Sequence, residues 1–135
     1  MSFDITSIEV ADTFDVEIKN PTTDEPIVVD GKPLTVTVYG PGSKQFKAAQ
    51  SVQSNRNMKR LRTKGKIETT PEEDAAATAS FLSACTVSFN GFDYKGMAAN
   101  DRETFRACYL DPKMGWLTEQ VNKEMGDWSN FTRAA

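Results

Sequence analysis

The chain changes its periodicity once, at Gly40-Pro41-Gly42, and that break constrains the fold more than any other feature. Upstream, Phe14, Val16 and Ile18 alternate with Asp15, Glu17 and Lys19. This is the period of two expected of a strand buried on one face. Asn20 to Pro26 is turn chemistry, bracketed by two prolines that cannot donate to a ladder. Ile27-Val28-Val29 then meets Asp30-Gly31, a favoured hairpin pair, and Leu34 to Tyr39 alternates again. The first segment, residues 3–10, reads as a further strand. A small antiparallel sheet is the expectation for this half.

Downstream the signals are helical. Ser43 is positioned to cap a helix that opens Lys44-Gln45-Phe46 and stops near Lys64-Gly65-Lys66. Thr70-Pro71-Glu72-Glu73 reads as a capping box with proline at the first helical position, and the acids there favour the helix dipole. The helix that follows places Ala75, Ala79, Leu82 and Cys85 on one face. Residues 87–94 follow it, with Asn90-Gly91 as a turn. Asn100-Asp101-Arg102-Glu103 offers a cap for a third helix through Phe105, Cys108, Tyr109 and Leu110, ended by Asp111-Pro112. A fourth helix over residues 114–128 aligns Leu117, Val121, Met125 and Trp128 at steps of 4, 4 and 3. The expected class is therefore α+β: a small N-terminal antiparallel sheet followed by a bundle of about four helices. Residues 1–42 make the β segment and residues 43–135 the helical part, either as two units or as one compact domain.

Composition bears on chemistry chiefly through a zero: the 135 residues contain no histidine. Ser-His-Asp and Cys-His catalysis and histidine zinc sites are thereby excluded. The two cysteines, Cys85 and Cys108, lack metal-ligand spacing and read as reduced core thiols. Glu72/Glu73 and Asp101/Glu103 are carboxylate pairs, but each sits at a helix start, where capping explains it. No phosphate-binding glycine motif is present. The expectation is a protein that is not an enzyme, with no cofactor and no metal. No run reaches the ~18 apolar residues of a membrane helix, and the first residues lack a signal-peptide pattern, so a cytoplasmic location is expected.

Charge is segregated along the chain. Residues 1–30 carry eight acids against Lys19, a net of −7; residues 31–67 carry nine bases and no acid; residues 68–135 return to −5. Such a pattern fits acidic and basic segments that pair within the fold or between subunits, and it fits a nucleic-acid surface less well, since the basic stretch lacks interleaved aromatics. Arg56, Lys59, Arg60 and Arg62 form its densest part and mark a candidate interaction surface. The second candidate is the C-terminal stripe of Trp116, Leu117, Val121, Met125, Trp128 and Phe131. Aromatics at helical spacing are commonly core, and an apolar stripe near a chain end can equally be a docking face.

The order of these features resembles the tail assembly chaperones of long-tailed (siphophage-type) bacteriophages. The resemblance rests on an N-terminal β segment with Pro21 and Pro26 in its turn and on the Tyr39-Gly40-Pro41-Gly42-Ser43 junction. It continues through the basic cluster Asn55-Arg56-Asn57-Met58-Lys59-Arg60, an alanine-rich helix ending Ala84-Cys85, then Phe89, Gly91 and a final amphipathic helix with Asn130-Phe131. It implies a late, non-catalytic protein that binds the tape-measure protein, keeps it soluble and promotes tail-tube polymerisation around it during virion assembly. The implied partners are the tape-measure protein, the tail-tube protein, a longer frameshift form of the same chain and a homo-oligomer. The implied location is the cytoplasm of the infected host, with no place in the mature virion and no membrane or nucleic-acid partner. The alternatives are a small virion structural protein (a tube or tail-completion component) and then a nucleic-acid-binding regulator.

Overall fold

Central strand pairing organises the N-terminal half. The computed structural model describes residues 2–65, 70–97 and 100–133, the side chains of Lys64 and Arg133 excepted. After a 3-10 turn at Ile5–Ser7 capped by Asp4, β1 (Glu9–Val10) leads into β2 (Thr13–Glu17). A ribbon of β3 (Val28–Val29) and β4 (Lys32–Pro33) turns at Asp30-Gly31, where both residues have positive φ (54° and 78°) as the predicted hairpin pair allows. Strand β5 (Thr35–Tyr39) pairs antiparallel with β2, with Val16 opposite Val36. Its other edge pairs with β6 (Thr86–Asn90), which arrives after two helices and places Phe89 opposite Val36. The sheet order is β2-β5-β6, so its third strand comes from the segment beyond residue 43. The alternation is read as burial: Val16, Val36 and Val38 face the core while Asp15, Glu17 and Thr37 face outward.

The four helices among the described residues are α1 (Lys44–Lys64), α2 (Pro71–Cys85), α3 (Arg102–Leu110) and α4 (Gly115–Met125). The chain is α+β. Ser43 caps α1 by accepting from the Phe46 N–H at 3.1 Å, and Gly65 ends it at φ 71° with its N–H on the Leu61 carbonyl; Lys66 lies outside the described residues. Thr70 caps α2 through the Glu73 N–H at 3.1 Å, while the Glu73 carboxylate turns to Arg60 instead of back to the cap. On α2, Ala79, Leu82 and Cys85 are buried as predicted, and Ala75 is exposed. Helices α2 and α3 pack closely, and Thr86 bonds both the Leu82 carbonyl and the Tyr109 hydroxyl at 2.7 Å. Helix α4 lies against β2 and β5, so the sheet and helices share one core.

Two local expectations change. Residues 3–10 are not one strand: Asp4 draws them into a 3-10 turn, and only Glu9–Val10 pairs, with β7 (Thr132–Arg133). The cap of α3 is Asp101, accepting from Glu103 N–H at 2.8 Å. Asn100 is used elsewhere, its Oδ1 accepting from the Phe89 N–H on the free edge of β6.

The strand-to-helix junction is a seat for the C-terminus. A Cβ at Gly40 would fall within the Phe131 ring, which is 1% exposed and meets Phe14 edge-on at 5.7 Å. The Ala11 N–H donates to the Phe131 carbonyl at 2.6 Å, tying the entry of β2 to the same residue. Gly40→Ala is expected to lose about 1–3 kcal/mol in urea denaturation, because the ring must leave its place in a packed core. Gly115→Ala, with nothing within 4 Å of its Cβ position, should stay within about 0.5 kcal/mol of the parent.

Candidate functional site

The C-terminal stripe is built differently from its sequence spacing. Leu117, Val121 and Met125 project from α4 into the core and are no more than 1% exposed, as is Phe131. Trp116 is half-buried against the same core. As a correction to the docking reading, these side chains already have their apolar partners inside the fold. Trp128 parts from them because α4 ends at Met125. Gly126 follows, Asp127 accepts the Ser129 N–H at 2.9 Å, and a 3-10 turn over Trp128–Asn130 rotates the indole off the stripe. Trp128 is 53% exposed.

Exposed apolar groups instead meet where Trp128 reaches the N-terminal arm; others lie on the β3–β4 ribbon (Val28, Val29) and on α1 (Val52, Met58, Leu61). A Cβ at Gly42 would stand 3.3 Å from Val10 Cγ1 and 3.4 Å from Trp128 Cζ3, so the two side chains flank the same glycine. Val10 is exposed, as are Ile8, Ile5 and Phe3 preceding it on the arm. Sequence reasoning absorbed this arm into a strand. The available signal was the irregular spacing of its apolar residues, 3, 5, 8 and 10, which matches neither face of one strand.

The four clustered bases do not form one surface. Helix α1 turns about 100° per residue. Arg60 faces α2 beside Ala49 and Gln53, and its Nη2 pairs with Glu73 Oε2 at 3.4 Å. Arg56 borders a small hollow with Ala77, Phe81 and Arg102. Arg62 projects outward on the side of Met58, Lys47 and Lys44, with Lys59 at its flank, all of them exposed. Only Phe46 and Ala49 of α1 are buried hydrophobics, so most of this helix is solvated.

Across the molecule, a cleft of about 400 Å³ opens beside β2 and α4, lined by Asp15, Glu17, Asp24 and Glu124 together with Lys19 and Lys123. Gln120 closes one end. Its Oε1 accepts from the Lys19 N–H and its Nε2 donates to the Lys19 carbonyl, both at 2.8 Å, as the backbone of a neighbouring strand would. Elsewhere, Asp111 caps the turn at Pro112–Met114 and accepts from the Tyr94 hydroxyl at 2.7 Å. That hydroxyl, then the Lys113 N–H, hold the Asp111 carboxyl below the usual carboxylate range. This cluster fastens the loop before α3 to the corner after it. Burial pushes the Cys85 thiol up to about 12 and the Cys108 thiol up to about 11. Among the described residues no group of three or more His, Cys, Asp or Glu side chains is placed to hold a metal ion, and no helix is long and apolar enough to cross a membrane.

Comparison with protein-family models, curated proteins and solved structures finds no match to this chain.

Three outcomes follow from the burial pattern. Leu117→Asp combined with Val121→Asp should abolish cooperative unfolding by circular dichroism, since two carboxylates would enter an apolar core. Trp128→Ser should keep its unfolding free energy within about 1 kcal/mol of the parent. Both thiols should resist iodoacetamide at about pH 8 in the native protein and react once it is unfolded in urea, because the thiolate is the reactive form and burial suppresses it.

Proposed function

We propose that this chain is a tail assembly chaperone of a long-tailed bacteriophage. In this reading it binds the tape-measure protein without catalysis, keeps it soluble in the host cytoplasm and promotes tail-tube polymerisation around it. The order of sequence features supports the family. The observation that carries the client-binding role is the pair of exposed apolar side chains that flank Gly42, Val10 and Trp128, with Phe3, Ile5 and Ile8 exposed on the arm that leads to them. A holdase needs apolar surface that is available without unfolding, and it must release its client as the tube grows. An arm beside a half-exposed indole meets that need, whereas the buried α4 stripe does not. Trp supplies a large contact area at small entropic cost, and scattered aliphatic groups on the arm can adapt to different turns of a helical client.

Co-expression with the tape-measure protein tests the proposal. The parent chain should raise the soluble fraction of the client and co-purify with it. The triple variant Ile5→Ser, Val10→Ser and Trp128→Ser should lose most of that effect with an unchanged melting temperature. Rescue by the triple variant would move the client site elsewhere. A folded parent that neither binds nor rescues, and that appears stoichiometrically in purified particles, would replace the chaperone reading with a virion component.

A further inference from the structure

We propose that copies of this chain associate head to tail, the outward basic face of α1 on one copy docking against the acidic β2 edge of the next. The donor face carries Lys44, Lys47, Lys59 and Arg62, with Met58 at 50% exposure offering apolar contact between them. Between described residues, no ion pair joins α1 to the first thirty residues; the ion pair of α1 is Arg60 with Glu73 on α2. Among the described residues, the acidic first thirty positions therefore have no ion-pair partner on α1 within one copy.

The receiving surface is an edge of the sheet. The Ile18 N–H donates to the Leu34 carbonyl at 3.0 Å and the Gly40 N–H to the Asp12 carbonyl at 2.8 Å. These bonds set the phase of the β2–β5 ladder, so Phe14 and Val16 bond inward and Thr13, Asp15 and Glu17 direct their backbone groups outward. The next outward position, Lys19, is occupied by Gln120, which leaves the open edge beside the cleft. Four carboxylates line that cleft against two ammonium groups, and Asp12 lies exposed at the start of the same edge. Lys and Arg heads from a second copy would find both carboxylates and unpaired strand carbonyls there.

The charges decide which surfaces meet. Two basic faces repel, as do two acidic edges, so neither surface pairs with its own kind. A two-fold pair joining basic face to acidic edge twice over would stop at the dimer, so species larger than a dimer mark the head-to-tail contact. A heterologous contact pairs opposite charges, and it repeats from copy to copy until the geometry closes or a partner caps it. Nucleic acid is the weaker occupant of α1. Arg56 and Arg60 are turned towards α2, the helix face lacks aromatics, and the whole chain carries a net −3 that repels phosphate. The inference rests on charge and the sheet edge, and it stands apart from the apolar patch of the chaperone reading.

Sedimentation of the full chain tests it. The parent should self-associate at about 0.02 M salt and dissociate at about 0.5 M, where screening is strong. Lys59→Glu with Arg62→Glu should weaken association about tenfold or more, as should Asp15→Lys with Glu17→Lys. For mixing, the neutral variants are used, Lys59→Gln with Arg62→Gln and Asp15→Asn with Glu17→Gln, because reversed charges would recreate a complementary pair. Together they should form a 1:1 dimer and nothing longer, since one retains only the acidic edge and the other only the basic face. Melting curves establish that each variant is folded; if one is not, Lys59→Gln with Arg62→Gln and Asp15→Asn with Glu17→Gln take its place, with the same expected direction. A parent that stays monomeric at low salt, variants that associate like the parent, or variants that do not pair on mixing would each overturn the proposal. A monomeric parent that instead binds a DNA duplex, and loses it on Lys59→Glu with Arg62→Glu, would assign the face to nucleic acid.

Discussion

Strand β5 is bonded on both edges, and its inward side chains, Val36 and Val38, are completely shielded from water. Neither flanking strand can pair without it, and its exit leads straight into Gly40, the floor on which the Phe131 ring rests. The backbone bond from Ala11 to Phe131 then ties the start of β2 to the same place. The entry of β2 and Phe131 near the other end of the chain are thus held by the tip of one strand. The arm before β1 remains outside the core as a consequence, since β1 has two residues and its partner, β7, has two.

The helices complete this sheet on one side. Phe89 brings β6 into contact with Phe92, Phe105 and Tyr109, so the third strand is fastened by aromatic packing as well as by its ladder. Thr86 joins α2, β6 and α3 through two hydrogen bonds, one of which satisfies the buried Tyr109 hydroxyl. Helix α4 covers β2 and β5 with Leu117, Val121 and Met125. With those residues committed to the core, two kinds of surface remain for partners. One is apolar, at the arm and Trp128; the other is charged, divided between α1 and the β2 edge. A largely solvated α1, whose buried apolar side chains Phe46 and Ala49 lie in its first turns, is consistent with a helix that serves as surface more than as support.

How far the sequence was legible depended on the range of the interaction involved. Ser43, Thr70 and Gly65 were readable because a cap closes a hydrogen bond within three or four residues. Asp30-Gly31 was readable because its left-handed backbone is a local steric property. The pairing of β6 with β5 was not, since it joins residues about fifty positions apart with no intervening local signal. Asn100 looked like a cap by type, yet its side chain was claimed by the Phe89 N–H across the loop. The charge runs were visible, but only the turn of α1 against α2 separates Arg56 and Arg60 from Lys59 and Arg62.

By itself the sequence determined the α+β class, the caps and turns closed by local hydrogen bonds, and the removal of histidine chemistry, because these follow from periodicity, backbone sterics and side-chain inventory. Tertiary structure alone decided which apolar groups are free. Leu117, Val121, Met125 and Trp128 share one helical spacing, yet the first three are buried and the last is exposed. The helix ends at Met125, and a capped turn then carries Trp128 over Gly42 while Phe131 takes the place at Gly40. Burial is a property of what packs opposite a residue, and helical spacing cannot specify the opposing surface.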